Sequence, residues 1–342
     1  MTDIQTLQSG SAATSGACAA VQRLSTAPVV AAGSVPGYGP VFNAGLVHHD
    51  GRFHLFARAV RDTYRRNVEP GPRFLDYVSD IAVFESDNGM DYEYGYVLAR
   101  AGDLNVDCFE DPRIQRVHSR GRQQLLMTYT NLPATNGLPW RVGAHRLDYD
   151  GTRFHLDPES GRVLGPHGFH DKDGVMFNLA DGRVALIHRI HPDMQLAIFD
   201  DLEHALNAGP DYWDDHLAEL QRHTIITPTP GALGIGAGAP PISTPDGLLL
   251  FFHERRADGA YTMNVALLDE HTGRPISVLP EALLAPELSW EIEGDVDNVI
   301  FVQGAHLRED GETIYLVYGA ADRHVGAATA SVSHLVSLLR AA

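Results

Sequence analysis

Gly45-Leu46-Val47-His48-His49-Asp50-Gly51-Arg52-Phe53-His54-Leu55-Phe56-Ala57-Arg58 is the stretch on which the fold turns. Two apolar runs flank Asp50-Gly51. Asp-Gly in that setting is a strong β-hairpin signal, because both residues accept the left-handed backbone of a tight turn. The unit returns four times. Pro112-Arg113-Ile114 leads through Gly121 to Leu125-Leu126-Met127-Thr128-Tyr129, and Val175-Met176-Phe177 leads through Asp181-Gly182 to Val184–Arg189. Pro241-Ile242-Ser243 leads through Asp246-Gly247 to residues 248–253, and residues 298–301 lead through Asp310-Gly311 to residues 314–318. Glycines 51, 121, 182, 247 and 311 lie 61 to 70 residues apart, and further strand-like runs at 80–84 and 262–268 fill the intervals. Four strands in each interval, five times over, predict an all-β five-bladed β-propeller. The rival, two stacked β-sandwiches, needs no even spacing. Residues 26–342 are expected to form one propeller. Residues 1–25, rich in Ser, Ala and Gly, are expected to be a loosely held arm. Helical periodicity is confined to 201–222 and 333–339, so only minor helical segments are expected.

The composition narrows the partners. The chain has 342 residues, with 26 basic against 44 acidic, a formal charge of −18. Such a field repels phosphate backbones and anionic lipid, which argues against nucleic acid and membrane surfaces. No apolar run is long enough to span a bilayer. Cys18 and Cys108 are the only cysteines, too few for a disulfide framework. No basic-then-apolar signal pattern opens the chain, and a cytoplasmic protein is expected. Twenty-five of the basic residues are arginines; the single lysine is Lys172, in Asp171-Lys172-Asp173. Arginine does not replace lysine where a compact point charge on a flexible stem is wanted, so this survivor draws notice.

A propeller gathers its first strands around a central channel, so unusual residues at equivalent positions of the repeat converge. In register, the copies offer Asn43 and Arg58, then Glu110, Asp111 and Arg113, then Lys172, Asp173 and Arg189, then His253, and last Asp322. A buried Asp beside an Arg is by itself an ordinary structural pair. The recurrence is what points to a shared pocket.

Glu110-Asp111-Pro112-Arg113, Lys172-Asp173, the run Gly234-Ile235-Gly236-Ala237-Gly238-Ala239-Pro240-Pro241-Ile242, and Gly319-Ala320-Ala321-Asp322 resemble the β-mannoside phosphorylase family, glycoside hydrolase family 130. The order and spacing agree from about residue 36 onward. The resemblance implies a five-bladed propeller. It also implies inverting cleavage of a terminal β-mannoside by phosphate, giving α-mannose 1-phosphate and a shortened acceptor sugar. An ordinary inverting glycosidase needs two carboxyls, one as acid and one to activate water; with phosphate as nucleophile a cationic cradle replaces the second. The resemblance makes Asp111 the general acid, acting through a mannose hydroxyl. It makes Arg141, Lys172 and His253 phosphate ligands, and Asn43, Arg58, Glu110, Tyr261 and Asp322 substrate-side contacts. Inorganic phosphate is then a co-substrate, and no other cofactor and no metal is expected.

Three departures stand out. The tract 61–77 is long and basic, fit for a subsite or a contact between copies, which leaves a homo-oligomer open. Residues 131–140 replace a plainer loop. Asp171 stands where the family commonly has asparagine, and an extra carboxylate there opposes anion binding unless it pairs with a base. Two other readings compete. A β-mannoside hydrolase would use Glu291, Glu293 or Asp295 as base, and a non-catalytic propeller would bind a sugar without turnover. The histidine pairs His48/His49 and His188/His191 lack a ligand set for a metal and read as packing or surface residues.

Overall fold

Each expected turn joins the two innermost strands of one blade. In the computed structural model, which describes residues 20–133 and 137–342, blade 1 runs Tyr38–His49, Arg52–Arg61, Ser79–Ser86 and Glu93–Ala99. Blade 2 runs Phe109–Ser119, Arg122–Asn131 and Arg141–Tyr149, with Phe154–Leu156 and Arg162–Leu164 outside them. Blade 3 is Lys172–Asn178, Val184–Arg189, Met194–Phe199 and Thr224–Ile226. Blade 4 opens with Gly234–Ala237 and Ile242–Thr244, both paired to Gly247–Arg255, and continues through Tyr261–Leu268 to Pro275–Val278. Blade 5 is Ile300–Leu307, Thr313–Ala320 and His324–Ser331, and its outermost strand is Val21–Arg23 from the other end of the chain. Every pairing within these sheets is antiparallel, and the fold is the expected five-bladed propeller.

The apolar core is divided among the blade interfaces. Val41, Leu55 and Ala57 pack with Tyr315 and Val317 between blades 1 and 5. Phe56 and Ile81 pack with Phe109 and Met127 between blades 1 and 2, and the remaining three interfaces follow the same plan. Inner strands are therefore buried on both faces, which is why they read as continuous apolar runs and not as alternating ones.

Of the expected arm 1–25, residues 1–19 lie outside the described residues. Val21–Arg23 belong to the ring: Val21 pairs with Ala330 and Arg23 with Ala328. Arg23 also meets the buried Glu291 carboxylate at 2.8 and 2.9 Å. The helical stretch at 201–222 is divided into Leu202–Leu206, Pro210–Ala218 and Leu220–His223. Pro210 lacks an N–H to continue a helix and begins a new one. The C-terminal helix spans Val332–Ala341, capped by Ser331. Among the described residues no helix is long and apolar enough to cross a membrane.

Two side chains tie the blades together at the axis. Arg113, fully buried, donates to the carbonyls of Asp111, Ala237 and Gly238 at 2.8–3.0 Å and to Asp173 Oδ1 at 3.0 Å. It links blades 2, 3 and 4. Gln303, also fully buried, donates to Asn43 O at 3.0 Å and Pro112 O at 2.7 Å, linking blades 5, 1 and 2. Arg113→Met should cost about 3–5 kcal/mol, because it strands a buried carboxylate and three carbonyls. Denaturant unfolding measures this; a loss under about 1 kcal/mol would show the network to be energetically neutral.

Candidate functional site

The pairing register of the first strands of blades 1, 2 and 3 slips around Asn43 (φ 46°), Asp111 (φ 50°) and Asp173 (φ 58°), and that of blade 1 slips again between Tyr38 and Val41. A bulge re-aims the side chain it carries, and Asn and Asp tolerate the left-handed backbone best after glycine. Ala321 and Asp322 at the end of blade 5's second strand are left-handed as well (φ 48° and 53°). Asn43, Asp111 and Asp322 line a cavity of about 480 Å³, together with Arg58, Lys172, Arg189, His253, Tyr261 and Phe301. Exposed Arg73, Trp140, His170, His191 and Leu233 complete its outer wall.

One part of the cavity is acidic. Asn43 Nδ2 donates to Asp111 Oδ1 at 2.8 Å, and Arg58 Nη1 reaches the same oxygen at 3.1 Å. Arg58 also grips Glu110, which stands behind the lining residues, and lies 5.3 Å above the Tyr77 ring. A single guanidinium thus pairs with Glu110 and Asp111 and acts through its charge on Asp322. Burial pushes the Asp322 carboxyl up to about 7; Arg58 opposes this, while the charges of Asp111 and Glu110 add to it. Burial likewise raises Glu110 against the pull of Arg58. For Asp111 burial acts upward too, but Arg58, Lys172, Arg113 and the Asn43 bond outweigh it and hold the carboxyl below its usual range. Environments that push neighbouring carboxyls apart in this way make a proton store.

The other part is cationic. Lys172 and Arg189 are register partners across the first two strands of blade 3. Among the described residues Lys172 makes no ion pair within 4 Å, and its Nζ lies 5.6 Å from the Trp140 ring centre. Asp173 beneath them meets Arg113 at 3.0 Å, Arg189 at 2.8 Å and His253 at 3.7 Å. Burial acts upward on this carboxyl too, but Arg189, Lys172 and Arg113 hold it far below its usual range. His253 stacks on Phe301 at 4.0 Å, and burial lowers its pKa to about 3. It is therefore neutral and offers a hydrogen bond, not a charge. Gly236 is the residue that permits this packing, since a Cβ there would lie 2.1 Å from Asp173 Oδ2 and 2.7 Å from His253.

Arg141, expected beside Lys172 and His253, is not among the residues that line the cavity. Its Nη2 donates to Gly165 O at 2.7 Å and Leu164 O at 3.3 Å, so the outer strand of its own blade occupies it. Arg189 stands in the cavity instead, with Arg255 over Tyr261 at 5.6 Å. Arg189 was legible in the repeat register and Arg73 in the basic tract 61–77. Arg255 holds the blade-4 position equivalent to Arg189 but does not figure among the expected residues; His191, expected as a packing or surface residue, lines the cavity, and His170 carried no sequence signal. Of the carboxylates considered as a water-activating base, none lines the cavity. Glu291 is taken by Arg23 and by Tyr318 at 2.9 Å, and Asp295 by Tyr64 and Arg323. The 61–77 tract shapes the site: Arg66 donates to Asp295 O at 2.8 Å, and Arg73 reaches the cavity wall. Among the described residues no group of three or more His, Cys, Asp or Glu is arranged to hold a metal. His48 packs on Phe53 and His306, and His188 pairs with Asp171.

The family model described as β-1,4-mannooligosaccharide phosphorylase, that of glycoside hydrolase family 130, matches residues 20–341. A β-1,2-mannobiose phosphorylase of Thermoanaerobacter sp. (strain X514) is 31% identical over 296 residues, 84% of this chain and 89% of that one. A 1,2-β-oligomannan phosphorylase of the same organism is 28% identical over 299 residues, 84% of this chain and 88% of that one. The solved structure of a β-1,2-mannobiose phosphorylase from Listeria innocua, in complex with β-1,2-mannobiose, superposes with a TM-score of 0.73. It covers 94% of this chain and 99% of its own at 18% identity, and that likeness speaks for the fold alone.

The titration of Asp322 is directly observable. With carboxyl-labelled aspartate, one resonance should titrate with a midpoint near 7, protonated below and ionised above, and should vanish in Asp322→Asn. A protein in which every aspartate titrates below about pH 5 would contradict the shared-proton geometry.

Proposed function

We propose that this chain, which belongs to glycoside hydrolase family 130, cleaves a terminal β-mannoside with inorganic phosphate, inverting the anomeric centre. The observation that carries this reading is the division of one cavity. A proton-holding carboxyl cluster shares it with a free ammonium, a guanidinium and a neutral imidazole. The one carboxylate among those cations, Asp173, is consumed by Arg113 and Arg189. A hydrolase needs a carboxylate to deprotonate water, whereas an oxyanion nucleophile needs donors and positive charge.

Phosphate, held by Lys172, Arg189 and His253, attacks the anomeric carbon from the face opposite the leaving oxygen. The bond from carbon 1 to that oxygen breaks as the bond to phosphate forms, and the product is α-mannose 1-phosphate. The leaving oxygen receives its proton from Asp111 by way of a mannose hydroxyl; Asp111 is ionised in the resting site, so the proton it passes on comes from the neighbouring Asp322 or Glu110, whose carboxyls burial raises. Asn43 and Arg58 orient Asp111, and Tyr261 and Asp322 bound the sugar. Arg141 is not part of this cradle. Phosphate is the sole co-substrate, with no metal and no organic cofactor, in a cytoplasmic enzyme whose propeller is a single catalytic unit. The named activities of the two Thermoanaerobacter relatives make β-1,2-linked mannosides the first substrates to try.

Incubation with β-1,2-mannobiose should yield α-mannose 1-phosphate only when phosphate is present. Free mannose appearing at the same rate without phosphate would defeat the reading in favour of hydrolysis, and no turnover of any β-mannoside would favour a binding module. Within the reaction, Asp111→Asn should lower turnover roughly 10²–10⁴-fold while the mannoside still binds. Lys172→Ala should raise the phosphate constant about 10- to 150-fold, the worth of one charge-assisted contact, and leave the mannoside constant within about threefold. Equal effects on both constants would remove Lys172 from the phosphate site.

A further inference from the structure

Behind the Lys172–Arg189 pair lies a chain of buried side chains that the reaction above does not use. Asp171 and His188 are fully buried, and His216 is 2% exposed. Asp171 Oδ1 accepts the backbone N–H of Arg189 at 3.2 Å, and its Oδ2 lies 2.9 Å from His188 Nδ1. His188 Nε2 faces His216 Nε2, on the helix Pro210–Ala218, at 3.2 Å. His216 Nδ1 is buried without a partner, and its ring stacks on His223 at 4.0 Å. Asp171 itself is clamped: its N–H donates to Trp140 O at 3.0 Å, and Gly165 packs so closely that a Cβ there would lie 2.1 Å from Oδ2.

The order of hydrogens along this chain follows from its chemistry. A carboxylate only accepts, so His188 Nδ1 carries a hydrogen. Burial lowers the His216 pKa to about 3, so that ring is neutral and has one hydrogen to place. On Nδ1 it would be an N–H buried without an acceptor, which folded proteins avoid more strongly than an unpaired acceptor. On Nε2 it is donated to His188. Hydrogens therefore run in one direction, from His216 to His188 to Asp171.

The chain ends where the ladder of blade 3 is weakest. Pairing between the first two strands slips between Lys172 and Val175, with Asp173 left-handed at the slip. There the Asp171 carboxylate, together with the Lys172–Arg189 pairing, ties the two strand ends. We propose that Asp171, His188 and His216 are positioning residues for phosphate: their relay fixes the backbone of Arg189 against that of Lys172 and so sets how tightly the anion is held. This rests on the reading that Lys172 and Arg189 bind phosphate. It also gives the extra carboxylate at 171 its base.

Asp171→Asn tests the direction of the relay. The amide keeps an oxygen for the Arg189 N–H but turns its NH₂ toward His188 Nδ1, which must then accept. His188 must donate from Nε2, and the hydrogen of His216 is driven onto its unpartnered Nδ1. The phosphate KM should rise about tenfold, with kcat and the mannoside KM within about twofold. Adding His216→Gln should recover most of the loss, because a glutamine amide can offer its oxygen to His188. Labelled-histidine NMR of the unmodified protein should find His188 as the Nδ1–H tautomer and His216 as the Nε2–H tautomer. A triad that merely holds the fold together would lower the melting temperature of Asp171→Asn without moving the phosphate KM, and that result overturns the proposal. So does the Nε2–H tautomer of His188 in the unmodified protein, which is readable even if the variant does not fold. A wild-type rate indifferent to phosphate overturns instead the reading beneath, and it is seen before any variant is made.

Discussion

The buried ion pair between Arg113 and Asp173 is the constraint on which the rest of the molecule depends. A guanidinium with no exposure is tolerable only if its charge is matched and its hydrogens are placed. Asp173 supplies the charge at 3.0 Å, and three main-chain carbonyls from blades 2 and 4 take three more of its five hydrogens. The same carboxylate meets Arg189 and neighbours His253 on its other side. One pair therefore joins three blades at the axis and sets the floor of the cavity. It also absorbs the carboxylate that stands among the cations, so the positive charge above it is left for a ligand. In a chain of net charge −18 that local excess exists only because it is assembled from the interior.

The acidic and cationic parts of the site are made by one local device used three times. Asn43, Asp111 and Asp173 each sit at a bulge with positive φ in the first strand of a blade. A regular strand points alternate side chains into the two neighbouring interfaces, and both of those are apolar here. A bulge gives a third direction. What the three residues do then differs with their surroundings: Asn43 donates, Asp111 is held ionised among cations, and Asp173 is spent on the frame.

How far the sequence revealed this follows from the same geometry. The Asp-Gly turns and the even spacing made the blades legible, because a hairpin is a local structure with a local signal. Most of the pocket was legible through equivalence: residues at one position of a repeat meet at one axis, which brought Arg58, Asp111, Lys172, His253 and Asp322 together. Arg141 shows where equivalence ends. It lies at the start of a third strand, where the partner is the outer strand of its own blade and not the channel. The run 234–242 was recognisable as a motif, but its cause is a distance that no sequence states: Gly236 lies against Asp173, and Gly238 against Val302 O, where a Cβ would come within 2.6 Å. Arg73 reaches the cavity from an irregular tract with no equivalent in the other blades, whereas Arg255 ends the second strand of blade 4 as Arg189 ends that of blade 3, an equivalence the sequence reading passed over. Asp171 was visible as an oddity, but its partner His216 comes from a helix outside the repeat.

The closing strand Val21–Arg23 bears on how the molecule is made. Its pairing partners are residues 328–330, so the ring is joined by a contact spanning almost the entire chain. Contacts of such sequence separation are the slowest to form, since the whole intervening loop must first be ordered. During synthesis the segment around residue 21 is made long before residues 328–330 and has no pairing partner until they follow. Until then blade 5 lacks its outer strand, and Arg23 lacks the Glu291 that fixes it. Asp322, at the end of blade 5's second strand, comes under the charges of Arg58 and Asp111 only once blade 5 is in place. Completion of the proton store therefore waits on blade 5, the last blade to be made.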